Sequence, residues 1–337
     1  MKAIGYCQSL PIEHADSLID FTAPEPIATG RDLLVEIRAV AVNPVDGKVR
    51  LRAQPPAGQT AILGWDATGI VRATGPDCVL FKPGDEVWYA GDVTRPGCQS
   101  ELHLVDERIV GRKPRSLGFA QAAALPLTSI TAWELLFERL RIPAGKQPRG
   151  ESLLIIGAAG GVGSILTQIA SRLTALTVIG TAARPESHEW VLQNGAHHVI
   201  DHTRPLSEEL RRIGHPQVTQ VAALTQTDRH WAQIVECLAP QGHLCLIDDP
   251  PEIDVKLLKK KSIALHWELM FTRSMFQTPD MIAQHQLLEE VAALVDAGIL
   301  RSTYAQHFGK ICAENLKKAQ ALIQSGQSRG KIVLEGF

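Results

Sequence analysis

The sequence predicts an α/β protein of two domains, one β-rich and the other a doubly wound parallel sheet with helices on both faces. Three observations predict it. The run LLIIGAAGGVG from Leu153 to Gly163 joins a fully apolar strand to a glycine-rich turn and then a helix. Apolar strand-like runs alternate with helical segments after that turn, the pattern of a parallel sheet. Before it the chain reads as short strands separated by Gly, Pro and Asp. At 337 residues the chain also exceeds the size at which one core usually keeps growing.

In chain order, residues 1 to about 125 supply the strand-like runs LLVEIRAVAVN, GIVRATG, GDEVWYAG and SELHLVDERIV. From Ala120 to Arg141 the apolar positions move to helical spacing with a bend near Pro126, and Pro143, Gly145, Pro148 and Gly150 form a linker. The strand beginning at Leu153 and a helix over Ser164–Leu173 follow, then strands at 177–183, 197–201, 220–224 and 243–248 with helical segments between them. Lys259, Lys260 and Lys261 read as a solvated element end. The C-terminal part is mixed, with a helix over Met281–Ala297, a strand near Tyr304, a helix over Asn315–Ser325 and a closing strand over Lys331–Glu335. It is expected to rejoin the N-terminal domain, and the chain shows no internal repeat.

The glycine turn carries the clearest chemistry. Backbone N–H groups of the turn and of the helix start can face a pyrophosphate if no Cβ intervenes, which is what Gly160 and Gly161 allow, while Gly163 lets helix and strand pack closely. Residues Ala159, Gly160, Gly161, Val162 and Gly163 are therefore the expected phosphate cradle, with Ala158 standing where the first glycine of G-x-G-x-x-G usually is. A structural glycine turn is the plain alternative. Ser152–Ala170 lacks any charged residue, but its four glycines between positions 157 and 163 argue against a membrane span.

Composition narrows the function classes. The formal net charge is −2 and no basic block marks a nucleic-acid arm or a polybasic membrane anchor. The first apolar stretch is short and broken by Glu13, His14 and Asp16, which speaks against a secretory signal. Six cysteines are scattered without a C-x-x-C pair, as expected of reduced thiols in a cytoplasmic protein, and none is assigned a catalytic role.

The order of elements resembles the medium-chain dehydrogenase/reductase superfamily, in which a GroES-like catalytic domain is interrupted by a Rossmann nucleotide-binding domain. The resemblance rests on AVNPVDGKVR (41–50), GWDATGIV (64–71), FKPGDEVW (81–88), PLTSITAWELL (126–136), GAAGGVG (157–163) and GKIVLEGF (330–337). It implies a GroES-like domain over 1–125, a Rossmann NADP-binding domain over 126–265 and a return to the catalytic domain over 266–337. Zinc alcohol dehydrogenases of that superfamily carry a Cys in the first motif and Gly-His-Glu in the second. Here Asn43 and Trp65 stand at those positions and the cysteines of a structural zinc lobe are missing, so no metal is expected. The Asn-x-x-Asp of the first motif is similar to the zinc-free quinone oxidoreductase branch. The segment HWELMFTRSMFQTPDM (266–281) resembles a bacterial subgroup often labelled zinc-type alcohol dehydrogenase-like.

Cofactor choice is read after the second Rossmann strand, where a carboxylate would hold a ribose hydroxyl and repel a 2′-phosphate. That strand ends Thr181-Ala182-Ala183-Arg184, so Ala183 and Arg184 point to NADPH, with Glu186 opposing that reading and a solvated loop arginine as the alternative. The resemblance places His202 beside the adenosine phosphate, and Thr225, Ile247 and Asp248 at strand ends should line the carboxyl edge of the sheet. Reduction of a quinone or an activated C=C bond needs hydrogen-bond donors for the oxygen that gains charge. The candidate donors are Asn43, Lys48 and Thr131, with Asp46 orienting its neighbours or the nicotinamide ribose. Lys48 is either an oxyanion partner and proton source or a surface lysine. Trp65 and Trp133 are candidate pocket walls, or core, and Phe271 is a pocket candidate that either covers the nicotinamide or packs at a subunit contact, with a hinge cap as the plain alternative. Arg273 either attracts a carboxylate or pairs with a local acid. The expectation is a metal-free, NADPH-dependent reductase of quinones or α,β-unsaturated carbonyls acting on a small molecule, with family analogy implying a homodimer. A non-catalytic nucleotide-binding protein and a zinc alcohol dehydrogenase with unrecognised ligands are the alternatives.

Overall fold

The computed structural model describes residues 1–147 and 150–337; Pro148, expected in the linker, lies outside them. Residues 1–130 and 271–337 form one compact unit, and residues 131–270 form another.

The first unit begins with β1 (Lys2–Tyr6), β2 (Ile19–Thr22), β3 (Asp32–Ala41), α1 (Pro44–Arg52), β4 (Ala61–Ile62), β5 (Ala67–Thr74), β6 (Glu86–Tyr89), β7 (Leu102–Asp106), β8 (Val110–Arg112) and α2 (Phe119–Ala123). β1 lies between β2 and β4 in a small antiparallel sheet. Alternation along β3 buries Leu33, Val35, Ile37 and Ala39, the period-2 pattern of a strand with one face in the core. Helix α1 starts where Pro44 fixes the first helical φ, just after the buried Asn43.

Helix α3 (Pro126–Trp133) carries the chain out of this unit and continues as a π-helical segment, Glu134–Arg139. The helical spacing read over Ala120–Arg141 therefore covers three pieces, because Pro126 cannot continue α2 and instead opens α3.

The second unit comprises β9 (Ser152–Ile156), α4 (Gly161–Leu173), β10 (Thr177–Thr181), α5 (Pro185–Gln193), β11 (His198–Ile200), α6 (Leu206–Arg212), β12 (Val218–Ala223), α7 (Thr227–Cys237), β13 (Leu238–Leu246) and β14 (Ala264–Trp267). All pairings are parallel, in the order β11-β10-β9-β12-β13-β14. β9 is buried at every position, as a central parallel strand covered on both faces must be. Its neighbours β10 and β12 diverge to opposite sides, which makes its carboxyl end the topological switch point where ligands bind in such sheets. Leu154, Ile156, Ile179, Val221, Leu244 and Leu246 belong to one core cluster.

β13 begins five residues earlier than the sequence indicates, at Leu238. Pro240 and Gly242 disguise it, and the register slips between Val218 and Gln220 of its partner while Gln241 takes φ 63°. The lysine run closes a 3-10 turn, Val255–Lys261, where Lys261 donates to the carbonyls of Val235, Glu236 and Leu238 at 2.9, 2.7 and 2.7 Å and so caps the end of α7.

The chain returns to the first unit as α8 (Thr272–Phe276), α9 (Ile282–Asp296), β15 (Tyr304–His307), α10 (Ala313–Gln324) and β16 (Lys331–Glu335). The larger sheet of that unit runs β15-β16-β3-β5-β6-β8, with β7 also paired to β3. β16 is antiparallel to β3 through Val333↔Ala41. This pairing brings Lys331, at the mouth of β16, to the end of β3 and the start of α1.

Candidate functional site

In the second unit, the turn between β9 and α4 depends on its glycines. Gly157 takes φ +84°, and a Cβ there would meet Thr225 Cγ2 at 2.9 Å. A Cβ on Gly163 would meet the Gly157 oxygen at 2.4 Å and Ala158 Cα at 2.6 Å, so only glycine allows α4 to lie this close to the turn. Helix α4 begins at Gly161 with Gly160 as its cap, which has no side chain to bond the first N–H groups, and its first turn carries no acid. Uncapped N–H groups with the positive end of the helix dipole suit an anion. Thr181 Oγ1 accepts from the Gly157 N–H at 3.1 Å, which ties the turn to the end of β10.

The other expected cofactor residues stand at strand ends of this unit. Ala183 is exposed and Arg184 half-buried in the segment between β10 and α5, with Arg184 Nε 3.9 Å from Glu186 Oε1. His202 lies just beyond β11, its ring edge-on to His230 with centroids 6.1 Å apart, and both Nδ1 atoms are buried without a hydrogen-bond partner. Burial, then the neighbouring His202, holds the His230 pKa below its ordinary value. Thr225 is exposed after β12. Asp248, next to the half-buried Ile247, accepts from the Thr227 N–H at 2.9 Å and its hydroxyl at 2.5 Å, fixing the start of α7.

In the first unit, Asn43, Asp46, Asp66 and Lys331 form one buried polar cluster, none more than 3% exposed. Asn43 Nδ2 donates to Asp66 Oδ2 at 3.1 Å, to the Trp65 carbonyl at 3.3 Å and to the Ala41 carbonyl at 3.4 Å. Its Oδ1 accepts from the Lys331 ammonium. Lys331 also lies 2.9 Å from Asp66 Oδ2 and donates to the Val42 carbonyl at 3.1 Å. Asp66 Oδ1 accepts from the Leu127 N–H at 3.0 Å. Asp46 Oδ2 accepts from the Asn43 N–H at 3.0 Å and so caps α1. Burial lifts Asp46 to about 7 against the pull of the Asn43 N–H and Lys331; it also raises Asp66, opposed by Lys331.

Asn43 was expected to donate to a substrate oxygen. The structure turns its amide protons inward, because Asp66 and two carbonyls lie within reach. Asp46, expected to orient its neighbours or the nicotinamide ribose, holds the Asn43 N–H at the start of α1. Lys48, two residues further along α1, is half-buried. Trp65 is 2% exposed, donates Nε1–H to the Asp92 carbonyl at 3.0 Å and packs edge-on against the buried Phe271 at 6.4 Å. Thr131 is buried on α3; Trp133, half-buried on the same helix, packs against Phe137 at 4.7 Å. Arg273 pairs with a local acid, Asp280, at 3.0 Å, the second of its two expected roles.

Sequence reasoning missed Asp66 and Lys331 as members of this cluster. The signal was present: a carboxylate inside GWDATGIV and an ammonium opening KIVLE each interrupt an otherwise apolar stretch.

Two family models match the chain: the alcohol dehydrogenase GroES-like domain over residues 29–132 and zinc-binding dehydrogenase over residues 194–334. A zinc-type alcohol dehydrogenase-like protein of Staphylococcus aureus (strain COL) is 38% identical over 336 residues, covering 99% of each chain. The chain belongs to the medium-chain dehydrogenase/reductase superfamily. A Rhizobium etli CFN 42 protein described as a zinc-dependent alcohol dehydrogenase has a solved structure with 54% identity, covering 100% of this chain and 98% of its own, at a TM-score of 0.96. The Escherichia coli quinone oxidoreductase solved with NADPH is 23% identical, covers 99% and 100%, and has a TM-score of 0.84, a likeness of fold. The GroES-like domain and the parallel nucleotide-binding sheet of this superfamily are thus the fold read from the sequence.

The two groups that these relatives imply fit differently. The uncapped start of α4 and its glycine turn suit a dinucleotide. Zinc does not fit the cluster at Asn43 and Trp65. An amide and an indole are not zinc ligands, the Asp66 carboxylate already holds an ammonium, and burial keeps the Cys98 thiol far above its ordinary pKa. Among the described residues, no group of three His, Cys, Asp or Glu side chains is arranged to hold a metal ion.

Proposed function

We propose that the protein is a metal-independent, NADPH-dependent oxidoreductase that transfers a hydride to a quinone or an α,β-unsaturated carbonyl. The observation that carries this reading is the Lys331–Asp66–Asn43 cluster, which fills the place of the first two zinc-ligand motifs with side chains satisfied by one another. Alcohol oxidation in the metal-dependent members draws on the ion to stabilise an alkoxide, a contribution of several kcal/mol. Reducing a quinone or an enone places charge on an oxygen that hydrogen-bond donors can hold.

Bound NADPH supplies the hydride. The N–H groups at the start of α4 hold its pyrophosphate, and Arg184 meets the 2′-phosphate in a segment whose strand ends without an acid. With the Asn43 amide turned inward, Lys48 and Thr131 remain the candidate donors to a substrate oxygen. Trp65 and Phe271 are buried against each other as core, which leaves the half-buried Trp133 as the candidate pocket wall. The inward amide of Asn43 and the buried carboxyl of Asp46 also favour a second reading, a nucleotide-binding protein without turnover.

The experiment that tests the proposal is NADPH consumption with NADH in parallel across naphthoquinones, ortho-quinones and enones, repeated for Arg184→Leu. The expected result is turnover with NADPH and a roughly tenfold loss of NADPH preference in the variant, one charge-assisted bond discounted for exposure. Binding of NADPH without turnover of any acceptor favours the second reading.

A homodimer is part of the same proposal. β14 is the outer strand of the parallel sheet, with Trp267 52% exposed at its end and Leu269 51% exposed beyond it. An edge of this kind suits pairing with a second copy about a two-fold axis. Light scattering at twice the chain mass supports it, and a monomer at micromolar concentration opposes it.

A further inference from the structure

We infer that Lys331 is the resident cation of the Asn43–Asp66 cluster: its ammonium does for Asn43 and Asp66 what a metal ion does for its ligands, and so positions the start of α1. Three acceptors surround it, Asp66 Oδ2 at 2.9 Å, the Val42 carbonyl at 3.1 Å and Asn43 Oδ1, which matches its three protons. Its side chain is 3% exposed and that of Asp66 0%, so neither charge has water to fall back on. The Val42 N–H donates to the Ile332 carbonyl at 3.0 Å, which locks the strand bearing Lys331 to the residue before Asn43. A divalent ion placed among these acceptors would meet a fixed positive charge.

The cluster has an electrostatic consequence that packing alone does not have. Asp46 and Asp66 are two buried carboxyls that both feel one buried ammonium, paired with Asp66, and the charged or titratable groups that act on Asp46 are Lys331, Asp66 and the Cys98 thiol. Lys331 favours the charged form of Asp46 and Asp66 opposes it. The Asp46 Oδ1, buried and without a partner, is the atom left to carry a proton. Removing Lys331 therefore raises the Asp46 titration point, and neutralising Asp66 lowers it. A purely steric role moves neither, or moves both the same way.

The test is a carbon-13 carboxyl NMR titration of aspartate-labelled protein, with Asp46 assigned through Asp46→Asn, for wild type, Lys331→Met, Lys331→Arg and Asp66→Asn. Zinc content and thermal midpoint are measured before and after EDTA dialysis. The expected result is an upward shift in Lys331→Met, a downward shift in Asp66→Asn and recovery in Lys331→Arg, with sub-stoichiometric zinc and an unchanged midpoint after EDTA. Lys331→Met alone is expected to lower the midpoint by about 10 °C, and Lys331→Met with Asp66→Asn to recover most of it. If Lys331→Met does not fold, the downward shift in Asp66→Asn and the folding of the double variant decide the matter. Shifts in the same direction, no shift in Asp66→Asn, or one zinc per chain whose removal lowers the midpoint would overturn the inference.

Discussion

Burial decides which single side chains carry charge in the first unit. Asp46 is lifted to about 7 by burial, above its value in an unfolded chain. Its contribution to stability is therefore complete below about pH 4 and is lost as pH rises through 7. Asp46→Asn removes this dependence, so the wild-type midpoint should fall relative to that of the variant by roughly 10 °C between pH 4 and pH 8. Parallel midpoint-against-pH curves for the two proteins would contradict the assignment. His103 acts at the other end. Burial lowers it to about 4 despite the Pro96 carbonyl, so the stability tied to its neutral form is present above about pH 6.5 and is lost as pH falls toward 4. At this scale the residue types of the first motif were readable, because Asn43 and Asp46 lie in a compact pattern. Lys331 was not, because a lysine that opens a strand looks like a solvated charge until the strand's neighbour is known.

The glycine turn shows best what an element requires of its sequence. Gly163→Ala places a Cβ 2.4 Å from the Gly157 oxygen and 2.6 Å from Ala158 Cα, both backbone, so α4 must shift. Overpacking of this kind costs about 1–3 kcal/mol, and the midpoint should fall by about 5 °C together with NADPH affinity. Gly160→Ala separates the two effects. Its φ of −71° suits any residue and a Cβ there would lie 3.4 Å from the Gly157 oxygen, an ordinary contact, so the midpoint should hold while NADPH binding weakens. Equal losses of midpoint in both variants, measured calorimetrically, would contradict a phosphate-facing role for Gly160. The strand–turn–helix was legible because its apolar run and its glycines are local signals. The start of β13 was hidden by Pro240 and Gly242, and the break of the helical stretch at Glu134–Arg139 depends on packing that no local pattern states.

For the molecule as a whole, the fold was readable from the order of its motifs, since each marks one junction of a known chain path. The chemistry was less so. Neighbours named for zinc share the fold with a quinone oxidoreductase, so the fold does not choose between the two chemistries, and the cluster on which the proposal rests is assembled only when β16 pairs with β3. The most direct measurement of the central claim is the rate of NADPH-dependent reduction of 1,4-naphthoquinone by protein dialysed against EDTA, with zinc added back in a parallel sample. A metal-independent reductase gives the same rate in both samples and a much lower one with NADH. Activity that appears only when zinc is restored would contradict the account.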